Sequence, residues 1–279
     1  MARNEKGHYE RRANPLRLTT SIEVNGATLY CEERGTGTPV VLIHGGLMSS
    51  AMWAPVLSEL GDGLRLITPD SRGHGRSTNP SGTLSYAQLA DDIAALIEEL
   101  GLNHPVVGGY SDGGQVALEL GARHPHTAGA LIIGSASPDF AGSGLQEGMR
   151  AFLGADEAGT PDFEHIDASL GESAAFRKSM HPGGDEQWEA LVQQSAPMWL
   201  DYEGLTDDEV GGIEEPTLVF TGDRDDQIPF DLMVALYKTL PNAELAVCPH
   251  ADHLAPIGPE RVGVFATMIR DFAGRHGEP

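Results

Sequence analysis

The sequence predicts an α/β domain whose central sheet is mostly parallel and covered by helices on both faces. Two observations carry this. Short, wholly apolar runs of strand length alternate with segments of helical periodicity, the pattern of a parallel sheet buried between two helical layers. That alternation stops between about Pro138 and Gly212, where helical stretches appear without a strand candidate. At 279 residues the chain is long enough for one large domain with an insertion, and a core of that size needs no covalent staples.

The elements follow in order. Met1 to Thr20 is polar, carries Arg3, Lys6, Arg11, Arg12 and Arg17, and has no apolar stretch. It reads as a loosely held extension (residues 1–20), neither a signal peptide nor a strand. Ile22 to Val24, the pair Asn25-Gly26, and Ala27 to Glu32 read as a β-hairpin, since Asn-Gly suits the tight turn that such hairpins favour. Val40 to Ile43 and Leu64 to Thr68 are buried-strand runs. From Leu84 to Gly101 runs the clearest helix: Ser85 and Gln88 form a capping box, Tyr86, Leu89, Ile93, Leu96, Ile97 and Leu100 share one face, and Gly101 ends it. His104 to Val107 leads into a short strand, and Gly129 to Ser135 is the next. Beyond the interruption, Pro216 to Thr221 and Leu245 to Val247 complete the strand set.

Within the interrupted stretch, Leu145 to Leu153, Ser173 to Met180 and Glu186 to Gln194 have helical character. Trp188, Leu191, Val192 and Ser195 keep helical spacing until Pro197, which is expected to interrupt. Trp188, Trp199, Phe140, Phe152, Phe163, Phe176 and Tyr202 concentrate apolar bulk here.

Gly109-Tyr110-Ser111-Asp112-Gly113 matches Gly-x-Ser-x-Gly, the pattern of a serine held on a sharp strand-to-helix turn. Side chains at 109 and 113 would collide with the neighbouring backbone, and the serine must adopt a strained conformation to present its hydroxyl. The motif alone is weak in a chain with 35 glycines. Its setting makes it specific: an apolar strand precedes it, and Val116, Ala117, Leu120 and Gly121 form one helical face after it, ended by His124-Pro125.

Composition excludes several functions. The formal net charge of −23, with only three lysines (Lys6, Lys178, Lys238), repels nucleic acid and anionic membranes. Such acidity fits either salt adaptation or an ordinary soluble acidic enzyme. No apolar run is long enough to span a bilayer, so no membrane insertion is expected. Cys31 and Cys248 have no motif spacing and demand no disulfide, which makes the cytoplasm the expected compartment. His250, Asp252 and His253 lack a further ligand motif, and neither a metal nor another cofactor is expected.

These segments together resemble the α/β-hydrolase superfamily, in its lid-bearing, serine esterase-like branch. The resemblance rests on Val40 to Leu47, Leu64 to Ser77, the Ser111 elbow, Pro216 to Pro229 and Leu245 to His253, and runs from about Ser21 to Phe272. It implies an α/β-hydrolase core at 21–137 and 213–279, with 138–212 as an inserted helical lid. Asp70 to Ser77 becomes a structural turn shaped by Arg72 and its glycines, with His74 outside the chemistry.

The resemblance also implies site residues. A serine needs a base oriented by a carboxylate, and the family orders them serine, acid, histidine. Ser111 is the nucleophile. Of His250 and His253, the family's small or polar residue before and proline after (Asp252, Pro256) favour His253. Of Asp223, Asp225 and Asp226, the family's Gly-x-x-Asp-x-x-x-Pro selects Asp225, through Gly222 and Pro229. The oxyanion hole is expected from the backbone N–H groups of Asp112 and Gly46. Gly46 is expected to leave pocket volume, with Leu47 forming part of the wall, and the Asp112 side chain either anchors a polar substrate group or points to solvent. In the lid, Met198 and Trp199 are expected to bind substrate above Ser111.

The implied function is cofactor-free hydrolysis of a small or medium carboxylic ester, thioester or lactone through an acyl-enzyme. Ser111, rather than an aspartate, argues against dehalogenase and epoxide-hydrolase chemistry. Carbon–carbon bond hydrolysis, perhydrolase and amidase chemistry, and a slow-turnover ligand-binding protein that keeps the triad, remain the alternatives. The oligomeric state is not legible.

Overall fold

A computed structural model describes residues 17–254, 258 and 260–277. It holds one eight-stranded sheet. Strands β1 (Arg17–Val24) and β2 (Ala27–Arg34) form the expected hairpin, antiparallel with Val24 opposite Ala27. Asn25 and Gly26 turn it with φ of 46° and 75°, the left-handed pair that this turn requires. Residues 17–20, assigned above to the extension, are instead the first half of β1, paired from Arg17 opposite Arg34 to Thr20 opposite Cys31. The edge of β2 recruits them through backbone hydrogen bonds, which polar side chains do not announce. The rest of the extension lies outside the described residues.

The parallel body follows as β3 (Gly37–Ile43), α1 (Ala54–Leu60), β4 (Gly63–Pro69), α2 (Tyr86–Glu99), β5 (Val106–Tyr110), α3 (Asp112–Arg123) and β6 (Ala130–Gly134). Then come five helices between β6 and β7: α4 (Leu145–Leu153), α5 (Phe163–Leu170), α6 (Ser173–Ser179), α7 (Gly184–Asp201) and α8 (Asp207–Gly211). The body resumes with β7 (Thr217–Gly222), α9 (Phe230–Thr239), β8 (Ala243–Cys248) and α10 (Val262–His276). Strand order is β1-β2-β4-β3-β5-β6-β7-β8, with every pair from β4 to β8 parallel.

The apolar strand runs explain the two layers. In β3, Val41 and Ile43 join the core under α2 and α3 with Leu89, Ile93 and Val116, while Val40 and Leu42 join the opposite core with Trp53, Phe265 and Phe272. Successive side chains point to opposite faces, so a strand covered on both sides is apolar throughout. Helix α2 begins as expected, with Ser85 Oγ accepting from Gln88 N, and Gly101 follows it at φ 59°. Cys31 and Cys248 are buried free thiols in separate core clusters. Among the described residues no helix is long and apolar enough to cross a membrane.

The insertion leaves and rejoins the body at a paired neck. Asp139 bridges Gly204, and Leu205 N donates to Pro138 O at 2.8 Å. Gly204 sits at φ 110°, and a Cβ there would lie 1.9 Å from Pro138 O, so only glycine fits. The reading above missed α5 and α8, and the expected break at Pro197 does not occur. A proline inside a helix costs about 3 kcal/mol, yet Trp188, Leu191, Val192, Ser195, Met198 and Trp199 are all buried along α7, and that packing carries the helix through.

Candidate active site

The site is built where β5 runs into α3. Ser111 has φ 57° and ψ −124°, in the left-handed half of conformational space, where a residue with a Cβ is strained. The glycines permit this. A Cβ on Gly109 would lie 2.2 Å from Gly113 O, and one on Gly113 would lie 2.0 Å from Ile43 O. Ser111 N donates to Gly134 O at 2.8 Å, which straps the turn to β6.

Ser111, Gly46, Leu47, Asp112, Trp199 and His253 all line one cavity of about 600 Å³. His253 Nδ1 lies 2.9 and 3.0 Å from the two carboxylate oxygens of Asp225. Donation from Nδ1–H leaves Nε2 as an acceptor. Asp225 stands on the loop after β7, its side chain fully buried, and Oδ1 also accepts from Gln227 N at 3.0 Å and Ile228 N at 2.8 Å. Burial pushes this carboxyl up, but the hydrogen bond and charge of His253, helped by Ile228 N–H and Ser135, outweigh it and hold the group below the usual carboxylate range. Of its neighbours, Asp223 accepts from Ala251 N at 3.1 Å and so steadies the histidine loop, while Asp226 is exposed at the cavity's edge. His250 is exposed, with a left-handed backbone. Pro256, part of the pattern that favoured His253, lies outside the described residues.

Asp112 departs from one expectation. Its carboxylate does not point to solvent, and both oxygens already have donors: Tyr86 OH at 2.8 Å on Oδ1 and Trp199 Nε1 at 2.9 Å on Oδ2. Its surface faces the cavity, yet protein surrounds the carboxyl. Burial raises its pKa, and the bonds from Trp199 and Tyr86 with the charges of His253 and Arg177 offset that only in part. The Asp112 N–H opens α3, where first-turn donors have no intrahelical partner. Gly46 does not leave pocket volume either: a Cβ there would meet Asp112 Oδ2 at 2.6 Å and Trp199 Cζ2 at 2.9 Å. The glycine makes room for the Asp112–Trp199 pair.

Leu47 is buried against the cavity as expected. Met198 is not among the residues lining the cavity and packs in the main core instead. One residue along α7 rotates the side chain by about 100°, and here Trp199 faces the cavity while Met198 turns away from it. The insertion adds Leu145, Met149, Phe152 and Leu170 to the apolar wall, and the same wall carries Arg177. The sequence reading flagged Phe152 only as part of an aromatic-rich stretch, and Arg177 had no motif to mark it.

The turn at Asp70 to Ser77 is structural. Arg72 makes a buried bidentate pair with Asp92, both contacts 2.7 Å. Asp70 accepts from Ser50 N and Arg76 N. Three buried imidazoles close the seam between this turn, the Gly46 loop and the insertion. His44 Nε2 accepts from Ser71 N at 2.9 Å, His181 Nδ1 accepts from Gly75 N at 3.1 Å, and His74 lies between their rings. Burial pushes His44 down to about 4 and holds His74 and His181 below the ordinary imidazole value as well.

Comparison with known proteins gives the family. The model of the alpha/beta hydrolase family matches residues 40–265. A 2-hydroxymuconate semialdehyde hydrolase of Pseudomonas sp. (strain CF600) is 29% identical over 273 residues, covering 93% of this chain and 95% of the relative. A putative non-heme chloroperoxidase of Synechocystis sp. is 30% identical over 266 residues, 84% of this chain and 95% of the relative. Among solved structures, a thermophilic esterase from Thermogutta terrifontis is similar at a TM-score of 0.70 and 28% identity, covering 94% of this chain and 99% of that one. With the family's model spanning most of its length, this chain belongs to the alpha/beta hydrolase family.

Proposed function

We propose that this protein is a serine hydrolase that cleaves a small or medium carboxylic ester, thioester or lactone through an acyl-enzyme. The observation that carries the proposal is the strained Ser111, held between glycines that admit no side chain, on a cavity it shares with the His253–Asp225 pair.

In this reading Ser111 Oγ attacks the substrate carbonyl while His253 Nε2 takes its proton. Asp225 keeps the other ring nitrogen protonated and steadies the imidazolium that forms. The backbone N–H groups of Asp112 and Gly46 receive the negative oxygen of the tetrahedral intermediate. Its collapse returns the proton to the departing group and leaves an acyl-Ser111 ester. Water, deprotonated by His253, then releases the acid and regenerates Ser111. Similarity to a 2-hydroxymuconate semialdehyde hydrolase supports a second reading, in which the same residues cleave a carbon–carbon bond.

The test is a panel of activated esters, thioesters and lactones of increasing acyl length, run beside labelling with a fluorophosphonate. Wild type is expected to turn over esters and take the label at Ser111. Ser111→Ala is expected to lose both, with kcat falling by about four to six orders of magnitude. An alanine variant with wild-type activity refutes the assignment.

A further inference from the structure

The cavity holds a cation with no carboxylate partner, in a chain where acids outnumber bases 41 to 18. Arg177 is the one arginine or lysine among the described residues lining it. Helix α6 turns its two adjacent cations opposite ways. Lys178 faces outward onto Asp167 at 2.6 Å, while Arg177 reaches in beneath the insertion, and its Nη1–H donates to Gly46 O at 3.2 Å.

That bond leaves the other edge of the guanidinium. Arg177 Nε is buried and has no hydrogen-bond partner; of the buried side-chain atoms in that condition among the described residues, it alone belongs to a cavity-lining residue. An orphaned buried donor is costly, more so on a charged group. Elsewhere in the molecule the corresponding edge, Nε with Nη2, grips a carboxylate with two parallel bonds: Arg65 holds Glu33 at 2.8 and 3.0 Å, and Arg72 holds Asp92 at 2.7 and 2.7 Å. Arg177 has no such ion pair among the described residues. Asp112 acts on it through charge; its oxygens bond Tyr86 and Trp199, and no hydrogen bond or ion pair joins it to Arg177 among the described residues. Asp226 at the edge is exposed and screened by solvent.

We propose that Arg177 is a specificity residue that binds a carboxylate on the substrate, so that the favoured substrates are esters of short dicarboxylic acids or similar anionic acyl groups. The inference rests on the acyl-enzyme reading of Ser111. Because Arg177 bonds the carbonyl of the residue expected to supply an oxyanion donor, the carboxylate it holds lies only a few bonds from the scissile carbonyl.

The test compares p-nitrophenyl hemiglutarate with p-nitrophenyl pentanoate, which have equal chain length and differ in a terminal carboxylate against a methyl. Wild type is expected to favour the hemiglutarate in kcat/KM. Arg177→Gln is expected to reduce the hemiglutarate-to-pentanoate ratio by about 10- to 100-fold, the scale of a charge-assisted bidentate contact, and Arg177→Lys to restore part of it. The ratio is the readout because a role confined to supporting Gly46 would slow both esters equally. A ratio unchanged in Arg177→Gln, or a wild type that prefers the neutral ester, overturns the proposal. If neither ester is cleaved, the ester-hydrolase reading has failed, and calorimetric titration with glutarate decides the subsite alone. Binding to Ser111→Ala that disappears in the Ser111→Ala/Arg177→Gln double variant sustains it; equal binding, or none, overturns it.

Discussion

The α/β body and the helical insertion are held in place by different physics. At the elbow the body is locked by backbone. Cβ atoms on Gly109, Gly113 and Gly114 would each come within 2.5 Å of a carbonyl oxygen, so those contacts are glycine or nothing. Over the cavity the insertion is attached by single side-chain hydrogen bonds that span long stretches of chain. Trp199 bonds Asp112, Arg177 bonds Gly46, His181 bonds Gly75, Gln187 Nε2 donates to Gly75 O at 2.8 Å, and Gln115 Nε2 donates to Tyr202 OH at 2.8 Å. A backbone lock tolerates no substitution, whereas a polar seam can be weakened one bond at a time. In the proposed function the chemistry belongs to the rigid region and selectivity to the adjustable one.

After Ser111→Ala, the largest effect expected on the body side is Asp225→Asn, at about 10⁴ in kcat, because the amide favours the wrong tautomer of His253. Asp223→Asn should be mild, since it removes only the Ala251 bond, and steady-state kinetics on the two variants separates them. A greater loss at Asp223 would move the acid.

Next comes Gly113→Ala. With Ile43 O 2.0 Å from the new carbon, destabilisation beyond about 4 kcal/mol is expected, read as insoluble protein or a collapsed melting temperature. In the insertion, Gly148 in α4 has nothing within 4 Å of such a carbon, and Gly148→Ala should stabilise by about 0.5–1 kcal/mol. Equal responses at the two sites would erase the contrast.

The imidazole seam links the regions to pH. His44, His74 and His181 are all held down in the fold, while in the unfolded chain they return to about 6.5. Below that value the unfolded state binds more protons, so stability present at pH 7 is lost as pH falls from about 6.5 toward the folded value, about 4 for His44. His44 alone accounts for on the order of 3 kcal/mol across that window. Urea unfolding at a series of pH values measures the slope, and His181→Gln should flatten part of it. A slope independent of His181 would mean that the insertion is not tied in by this seam.

A further variant tests one bond. Trp199→Phe keeps an aromatic ring but removes the donor to Asp112, and is expected to cost about 1.5–3 kcal/mol in stability. If Trp199 also shapes the pocket, the ranking of ester chain lengths shifts with it. A lowered melting temperature with unchanged ranking would leave Trp199 as core only.

Much of this was legible in advance, for identifiable reasons. The Ser111 elbow is a local event, since strand, glycines and helix adjoin in sequence. Asp225 falls where Gly222 and Pro229 mark the end of a strand, and the structure brings it within hydrogen-bond distance of His253. Residues 17–20 were lost to the hairpin because edge pairing uses backbone, and Pro197 misled because its local cost was outweighed by burial along α7.

By itself the sequence determined the alternating layers, the hairpin, the elbow and the residues able to serve it, because periodicity and glycine placement act over a few residues. Only the tertiary structure decided that Asp112 is clamped rather than free, that Met198 turns into the core, and that Arg177 faces the cavity. Those outcomes depend on contacts 87 and 131 residues apart, set by how the insertion folds back over the body, and no local pattern encodes them.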